Sequence, residues 1–370
     1  MTHLTGRVVH ITTVHRSTDN RIFRKECRAL HEAGIDVHLV ASHDGADVVD
    51  GIPIHRLPRR SSRLARMAGG PIATWGHLRR LRPALVHAHD PELIPLLLAW
   101  KLRHPSTTVV FDAHESLPSQ VMGKPYIPVR ARRGVAAATR ALERLAGMGV
   151  DRVVVATPSI RTEFPSAKTV LVQNYPWLSD FPEATPAPRR RRLVYVGGSS
   201  HERGLQQMLD LVLALDGTAV LVLAGPVTAA GQGLLDEHPA TTRGLVENHG
   251  MRPAEDVPGL IAGGDVGIVL FHPLPNHYEC QPTKMFEYMA AGRPFIASHF
   301  PAWQEMYGED DCALFVDPLD DAAILEAART LLDDPNRCER LGKNGRAALE
   351  RRFTFDGESD RLVGMVRDSV

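Results

Sequence analysis

The sequence has only four cysteines in 370 residues, Cys27, Cys280, Cys312 and Cys338, and no two stand in CxxC spacing. That excludes a zinc ribbon and a dithiol redox motif, and the thiols are expected to be reduced. Aromatic residues make up 6%, too few to interleave basic patches with stacking platforms, so nucleic acid is not an expected partner. No apolar run approaches the roughly 18–20 residues of a membrane span. The longest, Leu93–Trp100, is interrupted by Pro95. The opening MTHLTGRVVHIT shows neither the charged n-region nor the apolar h-region of a signal peptide, so a cytoplasmic protein is expected.

Several catalytic signatures are missing as well. TTVHRSTDN follows the first strand pattern without one glycine, so there is no GxGxxG of a Rossmann dehydrogenase, and GxxxxGK[ST], GxSxG and HExxH do not occur. The run His87-Ala88-His89-Asp90 has metal-ligand residue types, with His87 and His89 on one strand face. Without further Cys or His spacing beside it, no metal is assigned there.

What is present is ordinary globular composition, 44% apolar and 23% charged, over a length that suggests two domains. Net charge is zero but uneven: residues 1–180 carry 25 Lys and Arg against 15 Asp and Glu, residues 181–370 carry 18 against 28. A basic half attracts phosphate-bearing substrates or anionic surfaces. Short β-branched runs alternate with amphipathic stretches. Strands are predicted at 8–12, 36–41, 85–88, 109–112, 153–156 and 170–172, with helices at 21–33, 61–81, 91–103, 130–147 and 158–164. The pattern stops at Tyr175. The stretch 175–192 holds four prolines and reads as a connection, its Arg189–Arg192 run as a solvated end. A second series then predicts strands at 193–196, 219–224, 266–271, 294–297 and 313–316, with helices at 204–215, 228–237, 254–262, 282–291, 301–306, 320–333 and 336–351. The fold class is therefore α/β, two doubly wound parallel-sheet domains at 1–178 and 192–352 with a linker at 179–191. The cleft between two such lobes is the default ligand site.

Three segments concentrate chemistry. In YECQPTKMFEYMAAGRPFIAS (278–298), Glu279 precedes a helix that Pro282 opens and Gly292 ends, and Glu287 lies inside it. Gln281, Pro282 and Thr283 mark its N-terminus, a ready anion site. Lys284 in the first turn opposes the helix dipole unless an anion lies between, a local conflict that hints at function. In YVGGSSHERGL (195–205), Gly197 and Gly198 form a turn after a strand and Arg203-Gly204 opens a helix, suited to a pyrophosphate. Two phosphate-type sites in one domain point to a nucleoside diphosphate. In VVFDAHES (109–116), Asp112, His114 and Glu115 end a strand, where polar groups face a ligand crevice.

These residues resemble the retaining family 4, or group 1, glycosyltransferases of the GT-B fold. The Glu-x7-Glu segment with EYMAAGRPFI carries the resemblance, joined by HRSTDNRIFRKE (15–26), VHAHDPEL (86–93), FDAHE (111–115) and YVGGSSHERG (195–204). These segments look like the bacterial branch that builds surface polysaccharides and glycosylated metabolites, and 353–370 looks like the terminal helix that crosses back onto the first domain. The resemblance implies roles. Glu279 would hold donor-sugar hydroxyls, Glu287 the ribose and Arg203 the pyrophosphate. His114 would stand near the anomeric centre, and Met251 and Arg252 would line the base pocket. Where the family often has an arginine, this chain has Gly198, and Lys284 is expected to supply the missing cation. A Gly-Gly turn of many relatives is replaced by His15, Arg16 and Asp19, which with His89, Asp90 and Glu115 make the acceptor side. UDP is expected before GDP as donor nucleotide, with no metal and no other cofactor. Arg59, Arg60, Arg63, Arg66, Arg79, Arg80 and Arg82, then Arg130, Arg132, Arg133, Arg140 and Arg144, interleave with apolar residues. They suit an anionic bilayer or a lipid-linked acceptor. The competing readings are a UDP-sugar 2-epimerase of similar architecture and a non-catalytic sugar-nucleotide-binding protein.

Overall fold

The computed structural model describes residues 6–59, 62–115, 117–118, 121, 127–181 and 190–370. Arg60, Arg189 and the side chains of Arg63 and Arg66 lie outside the described residues. Contacts divide the chain into two units, residues 1–174 with 355–370, and residues 175–354.

The first unit is built on β1 (Val8–Arg16), β2 (Val37–Ser42), β3 (Val48–Val49), β4 (Ile52–Leu57), β5 (Leu85–Ala88), β6 (Thr108–Ala113), β7 (Arg152–Val155) and β8 (Thr169–Leu171). The order across the sheet is β3-β4-β2-β1-β5-β6-β7-β8, parallel except for the β3–β4 hairpin. Its helices are α1 (Arg28–Glu32), which continues a π-helical turn at Ile22–Cys27, α2 (Arg63–Leu81), α3 (Ile94–Arg103), α4 (Val129–Gly149) and α5 (Pro158–Arg161). Val9, Ile11, Val86, Ala88, Val109, Phe111, Val153 and Val155 form one buried face with helix residues such as Leu97 and Trp100. Burial on both sides explains why these strands read as unbroken apolar runs.

The second unit has β9 (Arg192–Val196), β10 (Val220–Ala224), β11 (Val246–Asn248), β12 (Val266–Val269), β13 (Phe295–Ser298) and β14 (Ala313–Val316), all parallel in the order β11-β10-β9-β12-β13-β14. Its helices are α6 (Leu205–Ala214), α7 (Ala229–Glu237), α8 (Pro239–Thr242), α9 (Val257–Ala262), α10 (Thr283–Ala290), α11 (Pro301–Tyr307), α12 (Asp321–Leu332) and α13 (Pro335–Arg352). Order reverses beside β9, so connections leave its neighbours in opposite directions and open a crevice at the carboxyl ends of β9 and β12. The same reversal occurs beside β1. The last helix, α14 (Phe355–Arg367), belongs to the first unit. Phe355 is fully buried with Lys25 Nζ 5.9 Å from its ring centroid, and Glu358 accepts from the Gln173 amide at 3.0 Å.

Three local expectations fail. The β3–β4 hairpin was not expected, nor was β11: β3 and β11 are too short to show a period, and Pro53 interrupts the pattern of β4. The connection from Tyr175 is not solvated at its start: Tyr175, Trp177 and Phe181 are buried, Tyr175 edge-on to Phe286 and Phe353. The arginine run is also tied down. Arg191 donates to the Thr218 and Leu332 carbonyls and pairs with Asp333, and Arg192 pairs with Glu247. The Arg191 guanidinium thus closes the carbonyls of a helix end and of the turn before β10.

Gly267 on β12 admits Tyr288 of α10 against the sheet. A Cβ there would fall 2.3 Å from Tyr288 Cδ2, while the Tyr288 hydroxyl donates to the Val194 carbonyl at 2.9 Å. Gly267→Ala is expected to destabilise the protein by about 1–3 kcal/mol through overpacking, read as a lower urea midpoint at unchanged m.

Candidate nucleotide and acceptor sites

In the second unit, β9 ends at a glycine turn. Gly197 has φ 120° and donates its amide to the Ala224 carbonyl at 2.7 Å. Gly225, with φ 136°, comes so close that a Cβ would meet the Gly197 oxygen at 2.3 Å. Only glycine fits this backbone-on-backbone contact. A one-turn helix, His201–Arg203, then leads through Gly204 into α6.

Two cations meet at this turn. Arg203 Nη1 donates to the Gly198 carbonyl at 3.2 Å, with its guanidinium 5.6 Å from the Phe271 ring centroid. Lys284 is buried at the start of α10. Its Nζ lies 3.4 Å from the Tyr195 hydroxyl and over two rings, 4.5 Å from Tyr195 and 5.0 Å from Phe271. The Tyr195 hydroxyl donates onward to the Gly198 carbonyl at 2.7 Å. A Cβ on Gly197 would sit 3.2 Å from Lys284 Nζ, so the glycine leaves the ammonium open to the turn. Among the described residues no carboxylate is within ion-pair reach of Lys284. Burial, then the Arg203 charge, pushes its pKa down to about 7, with Glu287 pulling the other way.

The N-terminus of α10 completes the arrangement, with Gln281, Pro282 and Thr283 half-buried and Glu279 exposed just before them. Glu287 is half-buried one turn after Lys284. Cys280 is held by structure, its carbonyl accepting from Trp303 Nε1 at 2.7 Å, and burial pushes its thiol up to about 12. Met251 and Arg252 are exposed beyond β11, beside Gly250, whose carbonyl accepts from the Gly225 amide at 2.8 Å. The structure therefore gathers Gly197, Gly198, Arg203, Lys284 and the head of α10 at one point, with Met251 and Arg252 at the neighbouring strand ends. Sequence reasoning missed Tyr195 and Phe271, the two rings that shelter Lys284, because an aromatic at a strand end looks like core.

In the first unit the carboxyl ends of β1, β5 and β6 carry a continuous polar network. Arg21 is buried and grips Asp112 with two hydrogen bonds, Nε to Oδ2 at 2.9 Å and Nη2 to Oδ1 at 2.8 Å, and gives Nη1 to the Val172 carbonyl at 3.0 Å. Burial works against ionised Asp112, but Arg21 and the His114 and His89 rings outweigh it and hold the carboxyl well below its usual range. His114 Nδ1 lies 3.5 Å from Asp112 Oδ2, and its ring meets His15 edge-on at 5.2 Å. His15 lies 3.4 Å from Asp19 and 3.6 Å from Asp90. The hydrogen bond to Asp19 raises the His15 pKa, and despite burial Asp19 falls to about 2. Asp90 is buried and accepts from Thr12 Oγ1 at 2.9 Å and the Thr13 amide at 2.6 Å.

The structure thus brings His15, Asp19, Asp90 and His114 together, with His15 and His114 part-exposed. Arg16 and Glu115 are exposed. His89 is fully enclosed, with Nδ1 on Asp112 at 2.9 Å and Nε2 on His10 at 2.9 Å, so it positions the network rather than facing solvent. Arg21, the centre of this network, was missed because nothing in HRSTDNRIF distinguishes it from its neighbours.

A family model described as glycosyl transferase 4-like domain matches residues 20–175, and one described as glycosyl transferases group 1 matches 190–334. The chain belongs to the group 1 glycosyltransferases. An MMP alpha-(1->4)-mannosyltransferase of Mycolicibacterium hassiacum is 30% identical over 117 residues, a stretch that spans 31% of this chain and 27% of that relative. Sucrose-phosphate synthase from Thermosynechococcus elongatus superposes with a TM-score of 0.74 at 17% identity, over 98% of both chains. HepE of Anabaena in complex with UDP superposes at 0.71 and 15% identity, over 98% of this chain and all of that one (100%). At these identities the solved structures establish the fold, which is GT-B. Among the described residues no helix is long and apolar enough to cross a membrane.

Two outcomes are expected. Arg21→Met leaves the buried Asp112 carboxylate without its cation and should cost about 3–5 kcal/mol in urea unfolding. Lys284→Met removes a buried charge. Between pH 7 and about 10 the unfolded chain keeps this lysine's proton while the folded chain releases it, so wild-type stability gains with rising pH. The variant should be more stable than wild type by about 4 kcal/mol at pH 7. That advantage should shrink as pH rises towards 10, measured by urea titration at each pH.

Proposed function

We propose that the protein transfers a sugar from a nucleoside-diphosphate sugar, UDP before GDP, to a hydroxyl acceptor, with retention of configuration at the anomeric carbon. One observation carries this reading: Lys284, buried and without a carboxylate in reach, faces the same glycine turn as Arg203 at the head of α10. Breaking the glycosidic bond builds negative charge on the diphosphate, and cations fixed in advance with helix amides stabilise it at no reorganisation cost. In this reading Arg203 and Lys284 take the diphosphate charge and need no divalent ion. Glu279 holds donor-sugar hydroxyls, Glu287 the ribose, and Met251 with Arg252 borders the base. The departing phosphate takes the acceptor proton, so no dedicated carboxylate base is required. The Mycolicibacterium relative, a mannosyltransferase, supports sugar transfer, and the UDP bound in HepE supports the class of donor.

His114, His15, Asp19 and Asp90 form the acceptor side in this proposal, with Arg16 and Glu115 at its edge. For a lipid-linked acceptor the supporting feature is α4, which exposes Arg130, Arg133, Arg140 and Arg144 together with Val129, Leu145 and Met148. The other basic stretch supports it less: Trp75 of α2 is turned inward, edge-on to Trp100 at 5.0 Å, and Leu78 is fully buried.

The test is a thermal-shift series with UDP, GDP, ADP, dTDP and NAD. One diphosphate at about 100 Kd should stabilise the protein by about 2.7 kcal/mol, and Glu287→Ala should abolish most of that shift. No response to any diphosphate, or a response to NAD alone, would remove the proposal.

A further inference from the structure

The interior of the first unit holds a cluster that sugar transfer leaves unused. His10 on β1 and His87 on β5 are register partners, and His89 follows two residues after His87. Strand alternation therefore puts all three imidazoles on one sheet face. Glu26 reaches that face from the π-helical turn before α1, and all four side chains are fully buried. Glu26 Oε2 lies 3.8 Å from His10 Nδ1, 3.6 Å from His87 Nδ1 and 3.9 Å from His89 Nε2, and His10 Nδ1 lies 2.9 Å from His89 Nε2. The four groups offer donors within 4.8 Å of one another. Tetrahedral zinc, with bonds of about 2.0–2.1 Å, spaces its donors at about 3.4 Å, inside the observed range.

The cluster makes one internal hydrogen bond, between His10 Nδ1 and His89 Nε2, and its other side-chain polar atoms, His89 Nδ1 apart, are left over. Among the described residues neither nitrogen of His87 has a partner, nor does His10 Nε2, and neither oxygen of Glu26 accepts a well-aligned hydrogen bond. Buried polar atoms are seldom left so. Glu26 divides its carboxylate: Oε1 lies 3.2 Å from Arg21 Nε, while Oε2 is turned to the imidazoles. On the far side of His89, Nδ1 sits 2.9 Å from Asp112 Oδ2. A carboxylate behind an imidazole is the outer contact that fixes a ligating histidine, leaving the Nε2 lone pair directed inward.

We propose that His10, His87, His89 and Glu26 bind one divalent transition-metal ion, Zn2+ in preference, as a closed structural site of the first unit. Three imidazoles with one carboxylate suit that class of ion, and four protein donors leave it no open position. The ion joins β1, β5 and the turn before α1, and it braces the His89–Asp112–Arg21 line from behind. It is separate from the transfer step, in which no metal is invoked.

The test uses the full chain. After exhaustive dialysis, elemental analysis should find about one zinc per chain. Stripping with a chelator in mild denaturant should lower Tm by about 5 °C or more, restored by Zn2+. Co2+ added to the stripped protein should give the intense visible bands of a four-coordinate site. Glu26→Gln should lose the zinc, the Co2+ spectrum and the Tm response. The proposal is overturned if purified protein holds only trace metal and neither Zn2+ nor Co2+ moves Tm or gives a spectrum. Should that variant not fold, the wild-type zinc content and Co2+ spectrum decide.

Discussion

A lysine enclosed by two aromatic rings, with an arginine for its charged neighbour, is the constraint on which the second unit's chemistry turns. In the free protein it costs stability, because burial and the Arg203 charge both disfavour the ammonium. A diphosphate placed at the head of α10 reverses both effects, since it brings negative charge to two cations and to the helix dipole together. The surrounding structure leaves room for that approach. Gly197 keeps a side chain away from Lys284 Nζ, Gly225 lets the next loop close against the turn, and Tyr195 ties the turn's carbonyl to the sheet. In the proposed function, the desolvation of Lys284 is what ties this point to ligand binding.

The first unit solves a different electrostatic problem. Its buried ionisable groups come as a set, Arg21 with Asp112 and Glu26, with histidines between them. The Arg21 fork fixes Asp112, Asp112 fixes His89 and faces His114, and His114 touches His15. Rigid, buried groups thus set the position of the two part-exposed imidazoles at the strand ends, which is how a site keeps its geometry without depending on loops.

Much of this was legible in the sequence. Leu85–Ala88 was placed to the residue, because a strand buried on both faces appears as a compact apolar run between polar turns, and the half-buried edge strand Ala313–Val316 was placed equally well from its apolar run. Lys284 could be singled out because a cation in a first helical turn conflicts with the dipole, and Arg203 because it precedes a helix-opening glycine. What escaped notice depends on distance along the chain. Tyr195 and Phe271 shelter Lys284 from strands far apart in sequence. His10 and Glu26 join His87 and His89 only through parallel register. The strand 48–49 with 52–57 was lost to its shortness and to Pro53, which breaks a strand pattern. Trp177 and Phe181 sit among prolines, where composition reads as linker although the side chains are core.

The central claim is that Lys284 changes from largely neutral to charged when a nucleoside diphosphate binds. Calorimetric titration of UDP at pH 8, in two buffers of different ionisation enthalpy, tests it directly. The account predicts uptake of about one proton per UDP bound, lost in Lys284→Met. Tight UDP binding with a heat independent of the buffer would contradict it, and would mean that the ammonium is already charged or takes no part.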